Sequence, residues 1–250
     1  MAAQAPGKQA MNDPQALASF IDKWRARWPE WAVAEVFVPP VQRDVALAWF
    51  ALRQELTDAA WGGSDPRPGE AKLAWWAEEL HGWTQGRRRH PLGTALQRLP
   101  APWQLLAACL PALRASRDRQ ADTEQAIADL EPFAEAVAGI AATLFASESP
   151  APHASVVVGL LAERALQVGE ATVPLHVRAR LGEVEPDVAV RHWAEELLQR
   201  WPPPQEGSRP GRIQAALVRA RLRQFAAGRP ADVPLARWNA LFLAWRAARN

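Results

Sequence analysis

Tyrosine is absent from this 250-residue chain, cysteine occurs once, and lysine occurs only at Lys8, Lys23 and Lys72. A single Cys109 excludes an intrachain disulfide and any zinc or iron–sulfur centre built on several cysteines. It sits between Ala108 and Leu110 in an apolar run, where a buried inert thiol is expected. No apolar run approaches the roughly 20 residues of a membrane helix. Met1 to Met11 lack the apolar core of a secretory signal. These absences lead to the expectation of a soluble, cytoplasmic protein. Glycine-rich phosphate loops (GxGxxG, GxxxxGK[ST]) and the GxSxG elbow are missing. The histidines, His81, His90, His153, His176 and His192, show no HxxxH or HExxH spacing, which argues against a zinc site.

What is present is helical. Val45, Trp49, Leu52 and Leu56 recur every three to four residues, the spacing of one helical face. Pro39-Pro40 and Gly62-Gly63 bracket a helix over Val41 to Trp61. Similar patterns predict helices over Ala71–Trp83, Pro91–Leu99, Pro102–Ser116, Asp122–Phe145 and Ala154–Val168. The remainder are Pro174–Leu181, Asp187–Trp201, Gly211–Ala227 and Pro234–Arg249. Asp122 is the expected N-cap of the longest. No strand-like alternation or hairpin turn interrupts them. The fold expected is all-α, a single helical-bundle domain over 1–250. Residues 1–12 are expected to be disordered, and a loop at 202–211 precedes a basic pair of C-terminal helices.

Charge is unevenly distributed. Residues 200–250 carry ten arginines against Glu206 and Asp232, whereas the preceding residues are net acidic. Much of the arginine excess fits the Ala- and Arg-rich coding of a GC-rich genome. A basic tail on an acidic body still suggests an anionic partner surface. Arg212, Arg219, Arg223 and Arg237, with Trp238 and Trp245, would suit a membrane surface; no nucleic-acid motif accompanies them. The thirteen tryptophans fall largely on helical stripes, as core residues do.

One helix carries a resemblance. Val38-Pro39, Arg43, and then Trp49-Phe50-Ala51-Leu52-Arg53-Gln54-Glu55-Leu56-Thr57-Asp58, ending at Trp61, are similar to a family signature. That signature reads Leu-Pro, Arg, then Leu-Tyr-Ala-Phe-Cys-Arg-Glu-x-Asp-Asp-x-x-Asp, and belongs to the squalene/phytoene synthases. Leu73, Trp76, Glu79 and Leu80 resemble the family's Leu-x-x-Trp-x-x-Glu-Leu. His90-Pro91-Leu92 with Ala95-Leu96 resembles its His-Pro-Val-x-x-Ala-Leu. Phe133 and Val137-Ala138-Gly139 resemble its Tyr-Cys-x-x-Val-Ala-Gly segment. Arg237-Trp238 through Trp245-Arg246 resembles the Arg/Trp-rich end of bacterial members.

The resemblance implies the isoprenoid synthase fold and head-to-head condensation of prenyl diphosphates. It also implies two Asp-rich motifs that hold Mg²⁺ ions on the departing diphosphate. This chain departs from both motifs. Thr57 and Trp61 stand where the first motif has aspartates, Asp58 keeps one, and Gln54 replaces its Arg. In the second, Glu163, Gln167 and Ala171 stand at Asn, Asp and Asp, and no Asp occurs between Ala154 and Leu181. The metal-ligand remnants are therefore Glu55, Asp58, Glu163 and Gln167. The substrate-binding candidates implied are Arg43, Arg53, Phe50, Gln54, Phe133 and Gly139. The expectation is a catalytically degenerate member that binds a prenyl diphosphate, an isoprenoid lipid or a partner protein, with some association at the inner membrane surface. Two alternatives stay open: an active prenyl transferase with an altered metal site, and a membrane-surface scaffold.

Overall fold

The computed structural model describes residues 14–203 and 206–249, and among them there is no strand. The expectation for residues 1–12 lies outside the described residues. The helices are α1 (Pro14–Arg27), α2 (Trp31–Ala34), α3 (Pro40–Trp61), α4 (Arg67–Thr84), α5 (Gly93–Leu96) and α6 (Trp103–Ala115). They continue as α7 (Thr123–Leu144), α8 (His153–Val168), α9 (Leu175–Leu181), α10 (Pro186–Gln199), α11 (Arg209–Ala226) and α12 (Arg237–Arg249). Short 3₁₀ turns cover Glu35–Phe37 and Gly169–Thr172.

α3 is the axial helix. Proline at its first turn has no N–H to orphan and a preset φ. Its buried residues run almost continuously from Ala46 to Trp61, so it is surrounded rather than amphipathic. It packs on α1, α4, α5 and α6. The wall continues with α6 on α7, α7 on α8, α8 on α11 and α11 on α12. Asp122 caps α7 as its sequence position predicts, its Oδ1 accepting the Gln125 N–H at 2.8 Å. Ser208 caps α11, which begins at Arg209 inside the segment expected to be loop.

Two departures from the sequence reading matter. The stretch expected as a helix over Pro91–Leu99 is helical only at Gly93–Leu96, because Pro100 and Pro102 cut short the following turns. α1 and α2 were not predicted. Leu17, Phe20, Ile21, Trp24 and Trp28 form a helical stripe that packs on the core. There Trp24 stacks on Phe50 with centroids 5.3 Å apart.

A buried clasp holds this first segment to the last third of the chain. The Glu30 carboxylate accepts Arg221 Nε and Nη2, both at 2.7 Å, and the Leu235 N–H at 2.8 Å. Trp28 lies 4.4 Å beneath the same guanidinium, and the Trp31 indole donates to Gln214 Oε1 at 2.7 Å. The α3–α4 contact is set by a glycine. A Cβ on Gly69 would lie 2.1 Å from the Ala59 carbonyl oxygen. This close approach brings Lys72, one turn on from Gly69, to Glu55, one turn back from Ala59.

Candidate functional site

A cleft opens between α1, α3, α8 and α11. Its outer part, about 480 Å³, is lined by Arg27, Phe50, Arg53, Gln54, Thr57, Glu163, Gln167, Gln214 and Asp232, with Trp24, Trp28, Leu166 and Arg221 among others alongside. A narrower inner part, about 100 Å³, lies between α3, α7, α8 and α11, lined by Trp49, Val137, Ala138, Ala141, Phe145 and Gly159 among others. Phe50, Arg53, Glu163 and Gln214 line both. Both parts mix polar and apolar side chains: Glu206 and Arg212 join Arg53, Glu163 and Gln214 on the narrower part, whose remaining lining is mostly small or apolar.

α3 and α8 face each other across the cleft at the positions the sequence singled out. Arg53 Nη2 lies 3.6 Å from Glu163 Oε1, and Gln167 Nε2 donates to Asp58 Oδ1 at 3.1 Å. The acids do not face open space. Glu55 is 3% exposed, and its oxygens accept Lys23 Nζ and Lys72 Nζ, each at 2.6 Å. Asp58 accepts Arg27 Nη1 at 2.6 Å and faces Lys23 Nζ at 3.1 Å. Burial pushes the Glu55 carboxyl up, but the hydrogen bonds and charges of the two lysines outweigh it and hold it below the usual carboxylate range. Lys23 is the complement. Burial pulls its ammonium down, and bonding to Glu55 and Asp58 carries it above its ordinary value.

Mg²⁺ does not fit this arrangement. Two carboxylates already share three side-chain cations at contact distance, and a dication would add charge where the local balance is already positive. Thr57 is buried, with its hydroxyl donated to the Gln54 carbonyl. Trp61 is core, its indole donating to Ser116 Oγ at 2.9 Å. Among the described residues no group of three or more His, Cys, Asp or Glu side chains comes together.

Arg53 is differently placed. It sits at the junction of the two parts of the cleft, and its buried Nε has no partner. Gln54 Oε1 is likewise buried and unpaired. Both atoms are shielded from solvent as placed, so a ligand meets them only if the side chain turns toward the cleft.

The other expected residues lie elsewhere. Arg43 donates to the Val38 and Val36 carbonyls at 3.0 and 3.2 Å, pinning the turn before α3, and lines neither part of the cleft. Phe133 is fully buried core. Gly139 lines neither part, and a Cβ there would meet nothing within 4 Å. The residues missed are Lys23, Arg27 and Lys72. The clue available in sequence was lysine itself, so scarce here that two of three are found at one carboxylate.

His90 lies between Phe20 and Trp76, with centroids at 4.4 and 4.5 Å. Its Nδ1 accepts the Leu92 N–H. Burial moves its pKa down to about 4, so the ring is neutral at pH 7. Glu79 ties the loop bearing it, accepting the N–H groups of Arg89 and His90 and the Trp83 indole.

An all-helical bundle with a cleft between its helices is the architecture of an isoprenoid synthase fold. A crystal structure of a dehydrosqualene synthase in complex with ligand has this fold. It superimposes with a TM-score of 0.61 at 16% identity, covering 94% of this chain and 96% of that one. A profile of the squalene/phytoene synthases matches residues 29–183, more than half of the chain, and the chain belongs to that family. No match is found among curated proteins.

Proposed function

We propose that this family member binds an isoprenoid with an anionic head, a prenyl diphosphate or a related lipid, without a divalent metal and without condensing two of them. The observation that carries the reading is the pairing of Glu55 and Asp58 with Lys23, Lys72 and Arg27, where the family resemblance implies metal. Ionisation of an allylic diphosphate requires the developing charge to be offset. Here the acids that would bring Mg²⁺ to that task are neutralised within the chain. Arg53, which lines both parts of the cleft, takes the head, and the Trp49, Val137, Ala138, Ala141 and Phe145 side of the narrower part takes the start of the tail.

Calorimetric titration with farnesyl and geranylgeranyl diphosphate, each with Mg²⁺ or with EDTA, tests this. The expected result is binding of equal affinity in both buffers, weakened about tenfold or more by Arg53→Gln. Binding that requires Mg²⁺, or a condensed C30 or C40 product in a radiolabelled assay, favours the active transferase with an altered site. No binding in any buffer leaves a scaffold acting through a protein partner.

A further inference from the structure

The outer face of the last two helices is unlike the rest of the surface. Trp238, Phe242 and Trp245 follow one another by four and three residues along α12, so they form one stripe. They are 82%, 54% and 41% exposed, whereas Ala240, Ala244 and Ala247 on the opposite side are buried against the body. The Phe242 and Trp245 rings are 5.8 Å apart, and the Arg249 guanidinium lies 4.8 Å over Trp245. Val36, 58% exposed, belongs to the 3₁₀ turn that packs on α12.

Beside the stripe runs a groove of about 300 Å³ between α11 and α12, lined by Arg212, Arg219, Arg223 and Arg246 together with Trp201, Leu243 and several alanines. Among the described residues no carboxylate pairs with Arg219, Arg223 or Arg246. The Arg219 Nε is buried without a partner. Burial, and after it the neighbouring Arg223, pull the Arg219 guanidinium down from its ordinary value. The groove shares Trp201, Arg212 and Ala215 with the narrower part of the cleft, so the two adjoin.

We propose that the α11–α12 face docks on an anionic phospholipid bilayer, with Trp238, Phe242 and Trp245 at the headgroup–acyl boundary and Arg219, Arg223 and Arg246 on lipid phosphates. The argument is one of complementarity. Exposed tryptophans favour the membrane interface, and arginines without internal counter-ions favour an anionic surface. No helix among the described residues is long and apolar enough to cross a membrane, so the contact is peripheral.

Flotation of the full chain with vesicles tests it, comparing phosphatidylcholine alone with vesicles containing a third phosphatidylglycerol. The chain floats with the anionic vesicles, and 0.5 M salt weakens the association. Arg219→Gln/Arg223→Gln/Arg246→Gln lowers the partition coefficient roughly a hundredfold. Trp238→Ala/Phe242→Ala/Trp245→Ala lowers it about tenfold or more. Circular dichroism verifies that both variants, altered only at surface or groove positions, stay folded. Absence of flotation overturns the proposal, as does equal flotation of wild type and folded variants. Concentration-dependent dimerisation abolished by the aromatic variant, without flotation, assigns the face to a second copy instead. Displacement from vesicles by a single-stranded oligonucleotide at equal charge concentration assigns it to nucleic acid.

Discussion

Replacing Lys23 and Lys72 together by methionine keeps both apolar stems and removes both ammonium groups from Glu55. The carboxylate is 3% exposed and accepts each Nζ at 2.6 Å. Removing the partner of a buried charge costs about 3–5 kcal/mol, because the charge stays buried. The lysines themselves are nearly half exposed, so water follows them in and screening trims the loss to about 2–4 kcal/mol. The pH dependence carries a sharper signature. In the wild type the folded pKa of Glu55 lies below its ordinary value. Its contribution is therefore full above about pH 5 and is lost as pH falls through the folded pKa. In the double variant only burial remains, which raises the folded pKa above the unfolded one, and the penalty then shrinks as pH falls from 7 towards 5. Urea unfolding followed by tryptophan fluorescence at pH 5, 6 and 7 measures both effects. Adding Glu55→Gln to the double variant restores most of the loss at pH 7. A loss under about 0.5 kcal/mol, or one independent of pH, refutes the reasoning.

Gly69→Ala is expected to destabilise by about 1–3 kcal/mol despite the better helix former, since its Cβ meets the Ala59 carbonyl at 2.1 Å; thermal denaturation measures this. Gly159 lies within α8 on the inner cavity, where a Cβ meets nothing within 4 Å. Gly159→Leu should raise stability by up to about 1 kcal/mol yet abolish prenyl binding by filling the cavity, and calorimetry against farnesyl diphosphate separates the two. His90 is neutral when folded, with a pKa of about 4 against 6.5 unfolded. It contributes stability above pH 6.5 that is lost as pH falls towards 4, at most about 3 kcal/mol before screening, and His90→Phe should flatten that part of the pH–stability curve. Glu30→Gln leaves the buried Arg221 charge partly unpaired and should cost about 3 kcal/mol in urea unfolding.

Where local physics governs, the sequence was readable. The helix expected over Val41–Trp61 is found at Pro40–Trp61, because its prolines and glycines punctuate it and its apolar spacing has the helical period. Asp122 caps α7 for reasons contained within four residues. The opposition of Glu163 and Gln167 to Arg53 and Asp58 could be placed only through the family register, since over a hundred residues separate them. α1 escaped notice because its chemistry is completed elsewhere. Lys23 and Arg27 read as solvated charges until α3 brings Glu55 and Asp58 to them. Arg43 shows the converse. Its partners are carbonyls only five and seven residues away, and backbone acceptors leave no trace in side-chain pattern.

The convergence of two lysines on Glu55 also makes the chain chemically addressable. In a sequence that otherwise spells its positive charges with arginine, primary amines at side chains are confined to Lys8, Lys23 and Lys72. Lys23, its ammonium held above the ordinary value by Glu55 and Asp58, is the slower nucleophile toward an acylating reagent, because only the neutral amine reacts. Its acylation rate therefore reports whether the Lys23–Glu55–Lys72 bridge is closed. A peptide-resolved labelling experiment reads the state of that bridge from the native chain, without a probe being introduced.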